Sequence, residues 1–452
     1  MRQPGQIAYV VLLASTTLGT LSSTLIISPI NMIAEDLGVS ARQIVFAVSA
    51  FTLAMVMFAP LAGWLSERLG ARTFLISSLA LMVLAGLGAA LSPNLWVLVA
   101  MRALQGVACS AIPPAVQQTL GAFWTGQRAR VMAAWASAIG VGQALGPPLG
   151  GFVADLTGWR GVFVTHAMLS ALLATLLYLK VPAAPRGRPP MHVSGMLTLV
   201  IGVGGMVAAL TWAGQGGAAA VAGALGGAGA GALFLHARLA RRSPRALVEP
   251  RLLIEARYLR STAAATTVMA CLGVMMVATP LRLGQEYAMS PSQIGLVTLA
   301  LAASMALSAP LSPRAGERIT ARRVLHLGLA GLLIGPITMA LVLSAAPGQS
   351  EAVAGTVLLL IFIGAAIGAV QAIAGLGVMR SEASGHGSAL GIHNMMRFSG
   401  LAMGYAWVAL TYPSGHLVLV YGGPAVLAGS TLALVMAGPP PPPMPGDEVR
   451  LA

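Results

Sequence analysis

The sequence predicts an all-α polytopic membrane protein of fourteen spanning helices, two six-helix bundles with two further helices inserted between them. Three observations carry that expectation. The 452 residues are 57% hydrophobic and 8% charged, with a mean hydropathy of +0.83, a composition unlike that of soluble globular domains. Charge-free windows long enough to span a bilayer, about 20 apolar residues each, recur along the whole length. A segment of the first half also returns in the second at a constant offset.

Taken in order, the windows place helices at 8–33, 43–64, 73–91, 95–118, 131–154, 161–180, 192–212, 217–236, 261–283, 292–312, 323–345, 352–376, 389–410 and 417–437. Two windows are too long for one helix. The window 189–235 divides at "AGQGG" (213–217), giving helices 7 and 8. The window 398–446 contains the end of a helix that begins near Ala389, a turn at "YPSGH" (412–416), a last span and the tail "GPPPPPMPG". The first apolar run is too long for a cleaved signal peptide and no small-residue cleavage site follows it.

The net charge of +14 could suggest nucleic acid, but the positions of the charges exclude that reading. With the N-terminus placed in the cytoplasm, 21 of the 26 Lys and Arg residues fall in cytoplasmic segments. That bias orients a chain, and the even number of helices then puts both termini on the cytoplasmic side of a bacterial cell membrane. The seven arginines between 238 and 260 are read as an anchor on anionic lipid. Cys109 and Cys271 sit in apolar spans of different halves and read as inert thiols rather than a disulfide.

Sliding the chain by 250 residues lays 37–72 over 287–322 without a gap, with 12 of 36 positions identical. Apolar composition alone produces some matches, but it does not align the pair Glu67-Arg68 with Glu317-Arg318. This duplication divides the chain into a first bundle (1–182), an inserted pair (183–237), a basic linker (238–260), a second bundle (261–437) and a Pro-rich cytoplasmic tail (438–452). Parallel six-helix repeats around a midplane site are a transporter architecture.

Several chemistries are missing. The single lysine, Lys180, follows a leucine, so no Gly-Lys-Ser/Thr phosphate loop exists. No zinc-protease, serine-nucleophile or Asp-rich metal motif occurs. No enzyme activity, cofactor or metal is expected, and any pumping is driven by a gradient.

Three stretches carry the candidate site. In "GWLSERLGAR" (63–72) a glycine allows close packing, and Glu67 sits beside Arg68 and Arg72, groups able to pair across a cytoplasmic mouth in one conformation and part in another. Glu317 and Arg318 repeat the pair. In "RALQGVACS" (102–110), Arg102 lies about 10 Å into its span at 1.5 Å per residue, where a charge costs about 2.5–3.5 kcal/mol on insertion scales. It either braces helix carbonyls or holds a polar network with Gln105 that responds to protonation or substrate. In "GVGQALGPPLGGF" (140–152), Gly142, Gly146 and Gly150 form a bare stripe for backbone-to-backbone packing. Pro147 and Pro148 bend the outer half of that helix, and Gly151 extends the bare surface. The expectation is a helix against which a gate closes.

These residues together resemble the major facilitator superfamily, and within it the fourteen-helix drug:proton antiporters. "GWRGVF" (158–163) and "GHGSALGIHNMMRFSG" (385–400) are similar to further segments of that subfamily. The resemblance implies a monomeric exporter of hydrophobic compounds such as antibiotics, exchanging them for protons by alternating access. Glu67, Arg68 and Arg72 would gate the cytoplasmic side, Arg102 would join the coupling network, and 142–151 would seal against leak.

One departure stands out. Where the subfamily carries an aspartate in helix 1, "LSSTLIISPIN" (21–31) has Ser22, and no acid lies near the middle of any span. The remaining candidates are Asp36 and Asp155, pairing with Arg102 or with outer-loop charges, and His166 and His393 as groups that titrate near neutral pH. Gln143, Asn394 and Arg397 are candidate cavity residues. The missing acid weakens the case for a cationic substrate. Two alternatives remain: an uncoupled or differently coupled metabolite transporter, and a non-transporting membrane sensor or scaffold.

Overall fold

The computed structural model describes residues 5–39, 41–183, 187, 193–214, 216–242, 250–287, 289, 291–345, 348–385 and 387–437. The Pro-rich tail and parts of the insert and basic linker fall outside them. Fourteen long helices cross the molecule among the described residues. They are α1 (Gln6–Thr24), α2 (Ala41–Leu69), α3 (Ala71–Ala90), α4 (Leu95–Phe123), and α5 and α6, the two limbs of Arg128–Lys180. Then come α7 (Val193–Gly214), α8 (Ala219–Arg242), α9 (Ala256–Tyr287), α10 (Pro291–Ile319), α11 (Ala321–Ala345), α12 (Gln349–Met379), α13 (Gly387–Thr411) and α14 (Leu417–Met436).

The boundaries differ from the sequence expectation where single residues decide them. Instead of one helix over 8–33, α1 stops at Thr24 and a short helix, Ile30–Asp36, follows. Pro29, which has no N–H to give the preceding turn, stands at the junction. The α5–α6 run is continuous through Pro147 and Pro148, and its break comes at Gly158, with φ 74° and ψ 169°. The helix α2 runs on to Leu69, so Glu67 and Arg68 are helical rather than in a loop.

Gly70 alone makes the turn into α3, with φ 88° and ψ 132°. The residue aligned with it by the duplication is Thr320, the only non-glycine residue with positive φ (76°) among the described residues. A β-branched side chain is strained there, by about 1–3 kcal/mol. Its hydroxyl accepts the Arg323 N–H at 3.3 Å, but a Thr-to-Gly change at such a cap costs only a few tenths of a kcal/mol. Strain wins. Thr320→Gly is expected to raise thermal stability in detergent, by about 1 kcal/mol, and Gly70→Thr to lower it. An unchanged melting temperature in Thr320→Gly would show that the turn relaxes without cost.

The repeat is visible in how helices approach. A Cβ built on Gly106 of α4 would stand 2.1 Å from the Phe51 carbonyl of α2; one on Gly364 of α12 would stand 2.1 Å from the Leu301 carbonyl of α10. Phe51 and Leu301 are aligned by the 250-residue offset. A second pair of stripes behaves alike. A Cβ on Gly142 of α5 would meet the Thr17 carbonyl of α1 at 2.3 Å, and one on Gly400 of α13 would meet the Thr266 carbonyl of α9 at 2.2 Å.

The inserted pair lies at one side. On α7, a Cβ at Gly204 would be 2.7 Å from Met57 Cγ of α2, and Trp212 stacks with Phe46 at 6.5 Å. The helix α8 packs on α7 through Gly202, Gly205 and Gly229, with only 6% of its apolar window buried. Its remaining surface is apolar and faces outward, as a lipid-exposed helix requires.

Candidate functional site

The bundles meet at the face bearing the arginine-rich helix ends. Gly391 near the start of α13 lies against α2, where its Cβ would stand 2.7 Å from the Ala59 carbonyl and 3.0 Å from Gly63 Cα. Ser137 Oγ of α5 donates to the Ala306 carbonyl of α10 at 2.8 Å. Ala133, Ala136, Ala309 and Ala372 form a buried plug between α5, α10 and α12. Small side chains at every one of these positions let the helices close without leaving room for water.

Beside the plug the centre is polar. Asn394 Nδ2 of α13 donates to Gln117 Oε1 of α4 at 3.0 Å, joining the two bundles. One turn on, the Arg397 guanidinium lies 5.0 Å from the Trp135 ring of α5 and 4.6 Å from the Phe398 ring. Arg397 is ten residues into α13, about 15 Å at 1.5 Å per residue, half the depth of a 30 Å core. Its side chain is fully buried, and its Nε and Nη1 have no hydrogen-bond partner. Arg397, Trp135 and Gln143 line a central cavity of about 20 Å³, together with Thr20, Ser23 and Cys109. That space holds a single water, so the centre is closed in this conformation.

Arg102 sits in the other half of the membrane, inside the first bundle. Its Nη1 donates to Gln105 Oε1 at 2.9 Å and to the Ser22 carbonyl at 3.1 Å, and its Nε to the Ala47 carbonyl at 3.4 Å. The guanidinium lies 4.4 Å from the Phe51 ring, which the bare surface of Gly106 admits. Thus Arg102 both braces helix carbonyls and forms a small network with Gln105, and it ties α1, α2 and α4 together. Its Nη2 has no hydrogen-bond partner.

Of the two pairings open to Asp36, the structure shows the one with an outer-loop charge. Asp36 does not reach Arg102: its carboxylate takes a 2.7 Å bond from Arg160 and a 3.1 Å bond from Trp159 Nε1 on α6. Asp155 is exposed and has no partner among the described residues. His166 of α6 faces the Leu18 carbonyl at 3.5 Å and His393 faces Thr262 at 3.0 Å, each within its own bundle and away from the central cavity. Both are buried within their own bundles. The Asp36 carboxyl is held below the usual carboxylate range, first by the Arg160 hydrogen bond and then by Trp159. A depressed folded value stabilises the protein above the ordinary carboxylate range, near 3.8, and that contribution is lost as pH falls through the lowered value. Asp36→Asn is therefore expected to lower thermal stability slightly at neutral pH and not at pH about 2; equal losses at both would rule out the ion pair as the cause.

The expected gate also divides. Arg72 donates to the Tyr178 carbonyl and lies 5.4 Å from that ring, which ties it to the end of α6 in its own bundle. Arg68 rests on Trp64 at 5.2 Å. The Glu67 carbonyl accepts the Gly187 N–H at 3.0 Å, from the segment after α6. Glu317 lines a cavity of about 930 Å³ that opens between the bundles, among Arg128, Arg130, Arg314 and Arg380; Arg318 beside it is exposed. The bare stripe of α5 faces α1 rather than the opposite bundle. Cβ atoms on Gly146 and Gly150 would stand 1.8 Å from Thr24 Oγ1 and 2.2 Å from the Leu25 carbonyl, whereas one on Gly151 meets Ser28 Cβ at an ordinary 3.5 Å. Ser28 Oγ donates to the Pro147 carbonyl at 2.6 Å. Gly140, two residues before the stripe, faces α10 instead, where its Cβ would stand 2.9 Å from Met305 Cε.

Trp135, Gln117 and the Gly400–Gly404 stripe were not singled out in the sequence. The stripe has the same four-residue spacing as Gly142–Gly146 and was open to the same reading. A tryptophan in an apolar helix carries no such signal.

Two parallel repeats of six helices that close around a polar centre at mid-depth are the architecture of a membrane transporter. The chain belongs to the Major Facilitator Superfamily, whose family model matches residues 10–194 and 262–450. The multidrug resistance protein Stp of Mycobacterium tuberculosis (strain CDC 1551 / Oshkosh) is 29% identical over 297 residues, 64% of this chain and 55% of that protein. The methylenomycin A resistance protein of Bacillus subtilis (strain 168) is 28% identical over 41% of each chain. The putative multidrug resistance protein MdtD of Escherichia fergusonii is 26% identical over 62% of this chain and 60% of that one. The matches thus span about half the length of these relatives. Among solved structures, the human organic anion transporter MFSD10 superposes with a TM-score of 0.69 at 17% identity, covering 95% of this chain and 99% of that one. The proton:xylose symporter XylE follows at 0.66 and 14%, covering 95% and 94%. At these identities the superpositions speak for the fold.

Proposed function

We propose that the chain is a secondary transporter that exports a hydrophobic or amphipathic compound, an antibiotic or similar drug, across a bacterial cell membrane by alternating access. The arginine-rich face, with both termini, is then cytoplasmic by the charge bias of its loops. The observation that carries the reading is the interface itself. The contacts between the bundles described above lie in the arginine-rich half, at Gly391, Ser137, the alanine plug and Asn394, and they close over the buried Arg397. A seal on one side of a central polar group is half of an alternating-access cycle. The resistance proteins among the relatives support a drug as cargo.

Proton exchange is the coupling that the resemblance implies. A specific observation favours a second reading, transport without a proton carrier on the chain. The buried charged side chains are Arg102 and Arg397, with no buried carboxylate among the described residues, and the two fully buried histidines, His166 and His393, each contact a group of their own bundle.

A susceptibility panel in an efflux-deficient host, followed by uptake into inverted vesicles, tests the proposal. Export is expected for at least one hydrophobic drug. Collapse by an electroneutral potassium–proton exchanging ionophore, which dissipates only the pH gradient, assigns proton exchange; survival assigns the second coupling. Absence of flux for every compound sinks the transporter reading.

A further inference from the structure

We infer that Arg397, with the Trp135 indole N–H beside it, is the anchor for an anionic group on the substrate, so that the compounds carried are hydrophobic anions rather than the cations or neutral drugs the family resemblance leaves open. This rests on the transporter reading above and names its substrate class.

The argument begins with a charge imbalance. A cation in a hydrocarbon slab is expensive, and buried cations in membrane proteins are normally paired. Arg397 is not. The ion pairs among the described residues are Arg160–Asp36 and Arg282–Glu286, both near helix ends remote from the centre. Its Nε and Nη1 have no hydrogen-bond partner, and neither does Trp135 Nε1. The rings of Trp135 and Phe398 supply its only described stabilisation, at 5.0 and 4.6 Å.

These donors share one cavity. Arg397 and Trp135 both line the central space, where α5 of one bundle meets α13 of the other. The benzo edge of Trp135 faces Gly375 of α12, whose Cβ would be 3.7 Å from Cζ3, and the N–H lies on the opposite edge. Gln143, on the same cavity wall, and Asn394, one turn away, leave an acceptor oxygen unpartnered, but these amides are neutral and cannot cancel the charge. A carboxylate, enolate or phenolate entering between the bundles would complete the arginine and accept from the indole at once, a charge-assisted pair in a low dielectric.

The approach has the same sign. The cavity of about 930 Å³ at the arginine-rich face is lined by Arg128, Arg130, Arg314 and Arg380 against one acid, Glu317. Membrane topology alone accounts for arginines there, yet the field they make draws anions toward the plug. An anion also removes the need for a carrier acid. With the cell interior negative, moving one negative charge outward is downhill, so export proceeds without the carboxylate that Ser22 replaces.

The test uses purified full-length protein and three probes of matched ring system: naphthoate, its methyl ester and a naphthyl trimethylammonium ion. Thermal stabilisation in detergent reads binding, and flux from proteoliposomes under a potassium-valinomycin potential reads transport. Wild type is expected to bind naphthoate about tenfold or more tightly than either other probe. Its flux should follow the imposed potential. Arg397→Gln is expected to abolish that preference, Arg397→Lys to keep part of it, and Trp135→Phe to weaken it while leaving the fold intact. Stronger binding of the cation, equal binding of all three, or an anion preference that survives in Arg397→Gln overturns the assignment. If other drugs are still exported in those cases, the transporter reading stands without it. Absence of flux for any compound, with naphthoate binding intact, instead removes transport and leaves the anion site.

Discussion

Alanine at Gly142 or Gly150 is expected to leave little folded protein in the membrane, while alanine at Gly151, one residue further along the same helix, is expected to be tolerated. The difference is geometric. At Gly142 and Gly150 the new methyl would fall 2.3 and 2.2 Å from backbone carbonyls of α1, at Thr17 and Leu25, whereas at Gly151 it would rest 3.5 Å from Ser28 Cβ. A carbonyl held in a helix cannot swing aside as a side chain can, so α1 and α5 must separate. Overpacking of this kind costs typically about 1–3 kcal/mol and occasionally more. Here the separation also disturbs the Thr17 hydroxyl, which donates to the Ala138 carbonyl at 3.1 Å. Fluorescence-detected size exclusion of the three variants decides the matter. Equal recovery of Gly150→Ala and Gly151→Ala would mean that α1 is not pinned by the stripe.

Arg102→Leu is expected to do the reverse, folding near to wild type and losing export. The arginine contributes three hydrogen bonds and a ring contact, against an insertion cost of about 2.5–3.5 kcal/mol. The carbonyls of Ser22 and Ala47 lie in or beside helices that bond their own backbone, so removing the cation strands chiefly Gln105. Replacing a buried charge by an apolar group of similar size is often neutral or stabilising, by about 1–4 kcal/mol. A group whose removal costs the fold little, yet which sits in the membrane, is there for function. Lysine should not restore export, because a single ammonium cannot reach the Ala47 carbonyl, the Ser22 carbonyl and Gln105 together. Drug resistance and vesicle uptake at matched expression measure the outcome. If Arg102→Leu fails to fold, the arginine is a brace and nothing more.

Much of the molecule was legible in its residues. Charge-free runs, counted against bilayer thickness, gave fourteen helices because lipid leaves the backbone no way to hydrogen-bond except within its own helix. The 250-residue offset correctly paired Phe51 with Leu301 and Gly70 with Thr320, and the structure gives each pair the same role. Arg102 with Gln105, and Gly142 with Gly146 and Gly150, were marked by being costly or bare in a hydrophobic setting.

What an element faces could not be read in the same way. The glycine stripe of α5 declared a close approach but not to whom, and only the packing shows that α1 of its own bundle, not the opposite one, fills it. Asp36 was equally compatible with Arg102 and with Arg160 until α6 carried Arg160 to it. Trp135 and Arg397 are 262 residues apart in the chain, and nothing local to either announces the other. Periodicity and cost per residue are properties of one helix in lipid, fixed by composition. The pairing of faces depends on how fourteen nearly parallel cylinders share their surfaces. The sequence therefore determined that this is a duplicated membrane protein holding two arginines within its spans, and only the tertiary structure decided that neither meets a carboxylate and that one of them stands where the two halves meet.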